Sequence, residues 1–203
     1  MDNPNAYIGS GLLELYVMGI TSEEETKEVE RMAAAYPEIS KEIEEICKTF
    51  ETYAETHAVS PHPAVKPMLM AIIDYTERMK SGEPATFPPL LTEHSKTDDY
   101  REWLQRSDMI CPADAENLFA KIIGYTPQAT TAIVWIKEFT PYEIHESELE
   151  RFLVIEGSCD FQVGDKTYKL SPGDYLDIPL HLGHTAKVTS AFPCKVILQH
   201  VAA

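Results

Sequence analysis

Along the first eighty residues apolar positions recur at helical spacing, and along the last hundred they alternate in short runs separated by turn residues. Leu12, Leu13, Tyr16 and Val17 share one helical face, and Gly19 supplies a C-terminal stop. Ser22 followed by Glu25 fits a capping box, with further acids in the first turn, and Val29, Met32 and Ala33 give this second helix its apolar side. Pro37 opens a third helix, in which Ile39, Ile43, Ile46, Phe50 and Tyr53 fall at steps of three and four. Three prolines between Val59 and Pro67 turn the chain. Met68, Leu69, Ile72, Ile73 and Met79 then mark a fourth helix.

From Ser81 to Ser95 the pattern breaks: Gly82, Pro84, Pro88 and Pro89 read as a linker. A short helical piece around Tyr100–Leu104 follows. Strand-like runs come next, at 120–123, 131–139, 152–155, 159–163, 167–170, 175–178, 186–189 and 194–200. Gly157, Gly164-Asp165 and Ser171-Pro172-Gly173 punctuate them. So many short strands mean an antiparallel sandwich or barrel. The expected class is α+β, with a helical domain over 1–80, a linker over 81–98 and a β-barrel domain over 99–203.

Composition narrows the function. A net charge of −16 argues against direct binding of nucleic acid, which needs a basic face. No apolar run is long enough to span a bilayer, and the polar first residues lack the order of a signal peptide, so a cytoplasmic location is expected. Cys47, Cys111, Cys159 and Cys194 form no CxxC pair and are expected as reduced thiols, mostly in or near the core. There is no Gly-x-Ser-x-Gly elbow, P-loop or GxGxxG, so neither that nucleophilic chemistry nor a nucleotide cofactor is expected.

The candidate chemistry lies in two segments, Pro141–Gly157 and Gly173–His184. They offer Glu143, His145, Glu150 and His184, a mixed carboxylate and imidazole set suited to a divalent metal. In a strand, residues two apart project from the same face, so Glu143 and His145 point together. Glu150 begins the next strand, and His184 follows the turn at Pro179. The alternative is a set in which the carboxylates are solvated and the histidines only hydrogen-bond. Glu148 and His181 could substitute as ligands but read as rim residues. Tyr142, Tyr175 and His181 are candidate acids or bases for an enzyme, with nothing in the sequence selecting among them.

These segments resemble the two motifs of the cupin superfamily. His145, Glu150 and Gly157 fall at first-motif spacing, and Gly173, Pro179 and His184 at second-motif spacing. Glu143 replaces the usual first histidine, Lys137 the opening glycine of the first motif, and His181 a glycine of the second. The resemblance implies an RmlC-like jelly roll, a bound metal (zinc first, with manganese, iron or nickel compatible) and a homodimer. It also admits a metalloenzyme of dioxygenase or isomerase type.

Helices ahead of a cupin resemble the ChrR-type anti-sigma factors, and the stretches 7–19, 22–38 and 57–63 continue that likeness. Such domains carry His-x-x-x-Cys-x-x-Cys as a zinc site. Met32, Tyr36 and Ile39 stand at those positions here, so a metal-free helical domain with an apolar plug is expected. The resemblance implies an extracytoplasmic-function sigma factor as partner of the N-terminal helices, a regulatory rather than enzymatic role, and no contact with membrane or nucleic acid.

Overall fold

A computed structural model describes residues 3–203. The chain forms two compact units, Met1–Ser60 and Pro61–Ala203. The first contains α1 (Pro4–Ile8), α2 (Leu12–Val17), α3 (Glu23–Ala35) and α4 (Pro37–Thr56). The capping box at α3 forms in both directions: Glu25 donates its backbone N–H to Ser22 Oγ at 3.2 Å, and Ser22 N–H donates to Glu25 Oε2 at 2.8 Å. Pro37 occupies the first turn of α4, where its missing N–H costs nothing. Tyr7, Leu13, Val29, Met32 and Ile39 are buried together, with Tyr36 against them. The three positions that replace zinc ligands are thus part of an apolar core. The α4 stripe divides: Ile39 is buried, whereas Phe50 and Tyr53 near its end are 40% and 63% exposed.

The second unit begins with α5 (Val65–Lys80), which packs on β1 (Leu118–Tyr125). For that reason the division falls at Ser60 rather than at residue 80. After α5 come a 3-10 turn (Thr97–Tyr100) and α6 (Arg101–Leu104). The strands that follow β1 are β2 (Ala129–Ile136), β3 (Glu148–Glu156), β4 (Cys159–Val163), β5 (Lys166–Leu170), β6 (Tyr175–Ile178), β7 (His184–Val188) and β8 (Cys194–Ala202). They make two antiparallel sheets, ordered β1-β2-β8-β3-β6 and β5-β4-β7.

The expected closed barrel is corrected to two open sheets. Residues 137–147 cross from one sheet to the other, and Pro141 has no N–H to give to a ladder. Only the isolated bridges Phe139↔Lys187 and Glu143↔His184 form there. Between β6 and β7, Pro179 and His181, the latter with a positive φ of 63°, turn the chain away.

Both faces of the five-stranded sheet are covered, which is why β2 is buried along most of its length. Ala132, Val134 and Ile136 point inward with Phe152, Val154, Val196 and Leu198. Ile133 and Trp135 point outward and pack with Leu91, Tyr100, Trp103 and Met109. The proline-rich stretch read as a linker is therefore a strap over the outer face. Gln199 pins it: Leu91 N–H donates to Gln199 Oε1 at 2.7 Å, and Gln199 Nε2 donates to Pro89 O at 2.8 Å and Thr131 Oγ1 at 3.0 Å. Tyr100 O–H and Trp103 Nε1–H fix it further, through Pro89 O and Thr86 Oγ1. Gly124 lets it lie close, because a Cβ there would meet Pro88 Cδ at 2.3 Å. Among the described residues no helix is long and apolar enough to cross a membrane.

Candidate metal centre

The inward faces of the strands define the site. On β3 the alternation that points Phe152 and Val154 into the core points Glu150 there too, at 3% exposure. On β8 the same alternation runs Cys194, Val196, Leu198, His200. Glu150 and His200 are register partners at one end of this ladder. His184 opens β7 in the other sheet, also 3% exposed. The crossing segment brings in Glu143 and His145: Glu143 exchanges both backbone hydrogen bonds with His184 at 3.0 and 2.9 Å, and His145 O accepts from His181 N–H at 2.9 Å.

Glu143, His145, Glu150 and His184 converge, each offering one ligand atom, all within 4.8 Å of one another. Donors about 2.1 Å from one cation lie at most about 4.2 Å apart, so small side-chain movements close the set on a common centre. His184 Nε2 is 2.6 Å and His145 Nε2 3.3 Å from Glu150 Oε2, and His145 Nε2 is 3.8 Å from Glu143 Oε2. Yet His145 Nε2 and Glu150 Oε2 are buried without a hydrogen-bond partner. Crowded donors that do not satisfy one another fit a divalent cation better than a closed hydrogen-bond network, since unpaired buried polar atoms are costly.

The electrostatics are polarised. Burial pushes the Glu150 carboxyl upward, but the imidazoles of His145, His184 and His200 outweigh it and hold the group well below the usual carboxylate range. Burial, then the negative charge of Glu150, raises Glu143. Glu150 in turn raises His145 above the ordinary imidazole value. Two carboxylates and two imidazoles would hold a divalent ion as a formally neutral centre, and a bound ion would supply Lewis acidity there.

The other sequence candidates separate. Tyr142 lines the adjoining cavity, its ring so close to Gly183 that any side chain there would collide with it. Tyr175 packs at the outer core, with its hydroxyl 3.4 Å from Asp177. His181 and Glu148 are exposed and stand outside the cluster. Sequence reasoning missed two imidazoles. His200 Nε2 lies 3.2 Å from Glu150 Oε1, and His62 Nδ1 lies 3.7 Å from Glu143 Oε1 while its Nε2 is 3.1 Å from Tyr142 O. The signal for His200 was present: it continues the inward alternation Val196, Leu198. His62 lies far away in sequence, just before α5, and carries no comparable signal. A cavity of about 360 Å³ opens beside the cluster, with Met68, Leu118, Val134, Phe152 and Leu198 among its walls.

No curated protein matches this chain. Solved structures resemble its C-terminal half at low identity. The KdgF structure from Halomonas sp. is 20% identical over 48% of this chain and 94% of its own, with a TM-score of 0.42. The Cnp3 cupin domain of Schizosaccharomyces pombe is 12% identical over 44% and 67%, also at 0.42. TT1209 from Thermus thermophilus is 15% identical over 48% and 95%, at 0.44. The family described as "Cupin domain" matches residues 132–200, from β2 into β8, and the chain carries a cupin domain there.

Proposed function

We propose that this chain is a metal-dependent regulatory protein. Its cupin domain holds a divalent cation through Glu143, His145, Glu150 and His184, and its N-terminal helices bind an extracytoplasmic-function sigma factor. The metal half rests on one observation: four donor atoms lie within 4.8 Å, and two buried atoms among these side chains, His145 Nε2 and Glu150 Oε2, face each other without forming a hydrogen bond. Zinc heads the candidates because imidazole and carboxylate donors suit it, and manganese, iron and nickel accept the same donors. Elemental analysis of protein purified without chelator tests it. One divalent ion per chain is expected, and a wild-type protein that takes up none on loading overturns the reading.

The regulatory half draws on the resemblance of the helices to anti-sigma domains and on the surface of the helical unit. Leu15, Met18, Phe50 and Tyr53 are exposed there. Residues 1–60 carry thirteen acidic and four basic side chains. Exposed apolar side chains on an acidic unit suit a groove in a basic partner, with charge steering the encounter. The test is transcription by each sigma factor of the cognate genome with the purified protein added. One of them is expected to be silenced. If all are unaffected, the regulatory half is wrong.

A metalloenzyme of dioxygenase or isomerase type is the second reading, favoured by the cavity directly beside the cluster with Tyr142 on its wall. Turnover of a phenol, thiol or keto acid by the iron- or manganese-loaded protein would select it.

A further inference from the structure

We propose that the cavity beside the cluster takes a small ligand with one oxygen-donor head and an apolar body, and rejects ligands with a second negative charge. The inference rests on the proposed metal, which receives the head. The cavity has two chemically distinct ends. Glu143, His145, Glu150 and His184 form one, with His62 and His200 beside them. The other is built by the inward alternation of four strands, from Leu118 and Ala120, Val134 and Ile136, Phe152, and Leu198, and α5 adds Met68.

No lysine or arginine is among the residues lining it. The two carboxylates already balance a divalent ion, so the centre carries no surplus positive charge for a polyanion. A second carboxylate or a phosphate placed at the apolar end would lose its water and find no cation, an arrangement that burial penalises heavily. A hydrocarbon body placed there instead removes apolar surface from water on both sides. The volume of about 360 Å³ fits a small metabolite rather than a polymer. His62 Nδ1 lies 3.7 Å from Glu143 Oε1, so the wall formed by residues 62–68 borders the metal end as well as the apolar end.

Hexanoate and adipate make a matched pair of probes: six carbons each, differing only in the second carboxylate. The full chain is loaded with cobalt(II), its uptake counted by elemental analysis, and each acid titrated at pH 7 while the visible cobalt bands are followed. Hexanoate is expected to perturb the bands and to bind at least about tenfold more tightly than adipate, a difference of about 1.4 kcal/mol. Met68→Lys, which places a cation on the apolar wall, is expected to narrow or invert that preference without changing cobalt stoichiometry. Adipate binding as well as hexanoate, or neither acid perturbing a stoichiometric cobalt centre, overturns the proposal and leaves the metal reading intact. Failure of the wild-type chain to take up cobalt overturns the metal reading, and this one with it.

Discussion

His200 stands directly across the β3–β8 ladder from Glu150, with its Nε2 3.2 Å from the carboxylate oxygen Oε1, while the other oxygen of Glu150 faces His145 and His184. One carboxylate thus joins the candidate ligand set to an imidazole outside it. A partner that orients a ligand in this way is worth roughly 10- to 100-fold in metal affinity. His200→Ala is expected to weaken zinc binding by about that factor, and His200→Gln, which keeps a donor, to recover part of it. Competition against a chromophoric chelator measures both. Unchanged affinity in His200→Ala would reduce this histidine to a packing residue.

Metal bound only by the folded state stabilises it by an amount that grows with the logarithm of free metal over Kd, about 2.7 kcal/mol at a hundredfold excess. The wild-type protein is therefore expected to melt at a higher temperature with added zinc and at a lower one with chelator. Glu150→Gln replaces a central donor and is expected to show neither response. A wild-type melting temperature indifferent to both additions would contradict a metal at this site.

Glu83 joins the strap to α5 and to the segment beyond α6, accepting hydrogen bonds from Arg106 at 2.6 Å and Arg78 at 2.8 Å. Arg106, with Arg78 behind it, holds the Glu83 carboxyl below the usual range against the opposing pull of partial burial. A carboxyl depressed in the folded state stabilises the fold in full above its unfolded value of about 4.3, and the contribution is lost as pH falls through the folded value. The stability difference between wild type and Glu83→Gln, from urea midpoints, is expected to be largest near neutrality and to shrink steadily below about pH 4.3. A difference that grows on acidification would refute this assignment.

Gly124 has no room for a methyl group: its Cβ would lie 2.3 Å from Pro88 Cδ and 2.9 Å from Thr86 O. Gly124→Ala is expected to cost about 1–3 kcal/mol by denaturant unfolding, the range for overpacking a tight contact. Removing the ring as well, in Gly124→Ala with Pro88→Ala, should restore part of the loss. Equal losses in the single and double variants would mean that the strap is not what the methyl group meets.

Much of the fold was legible in the sequence because periodicity reports which faces are buried. All eight strand-like runs correspond to strands, with differences at their ends, and the Ser22–Glu25 capping box forms as expected. The short α1 helix escaped notice because five residues show too little period to recognise. The strap was misread for a different reason. Its prolines exclude regular structure, but Leu91 and Trp103 bury their side chains and Gln199 pairs its backbone, and such tertiary partners leave no local pattern. At the site, motif spacing was enough to gather Glu143, His145, Glu150 and His184. His62 enters only through the packing of residues some eighty positions away, which a single sequence does not reveal.

The strap also bears on self-association. Sheets often pair by pressing one broad apolar surface against that of a second copy, and here that surface is already occupied from within the same chain, by Leu91, Tyr100, Trp103 and Met109. A homodimer formed through that sheet face would have to displace these side chains, at the expense of a formed core.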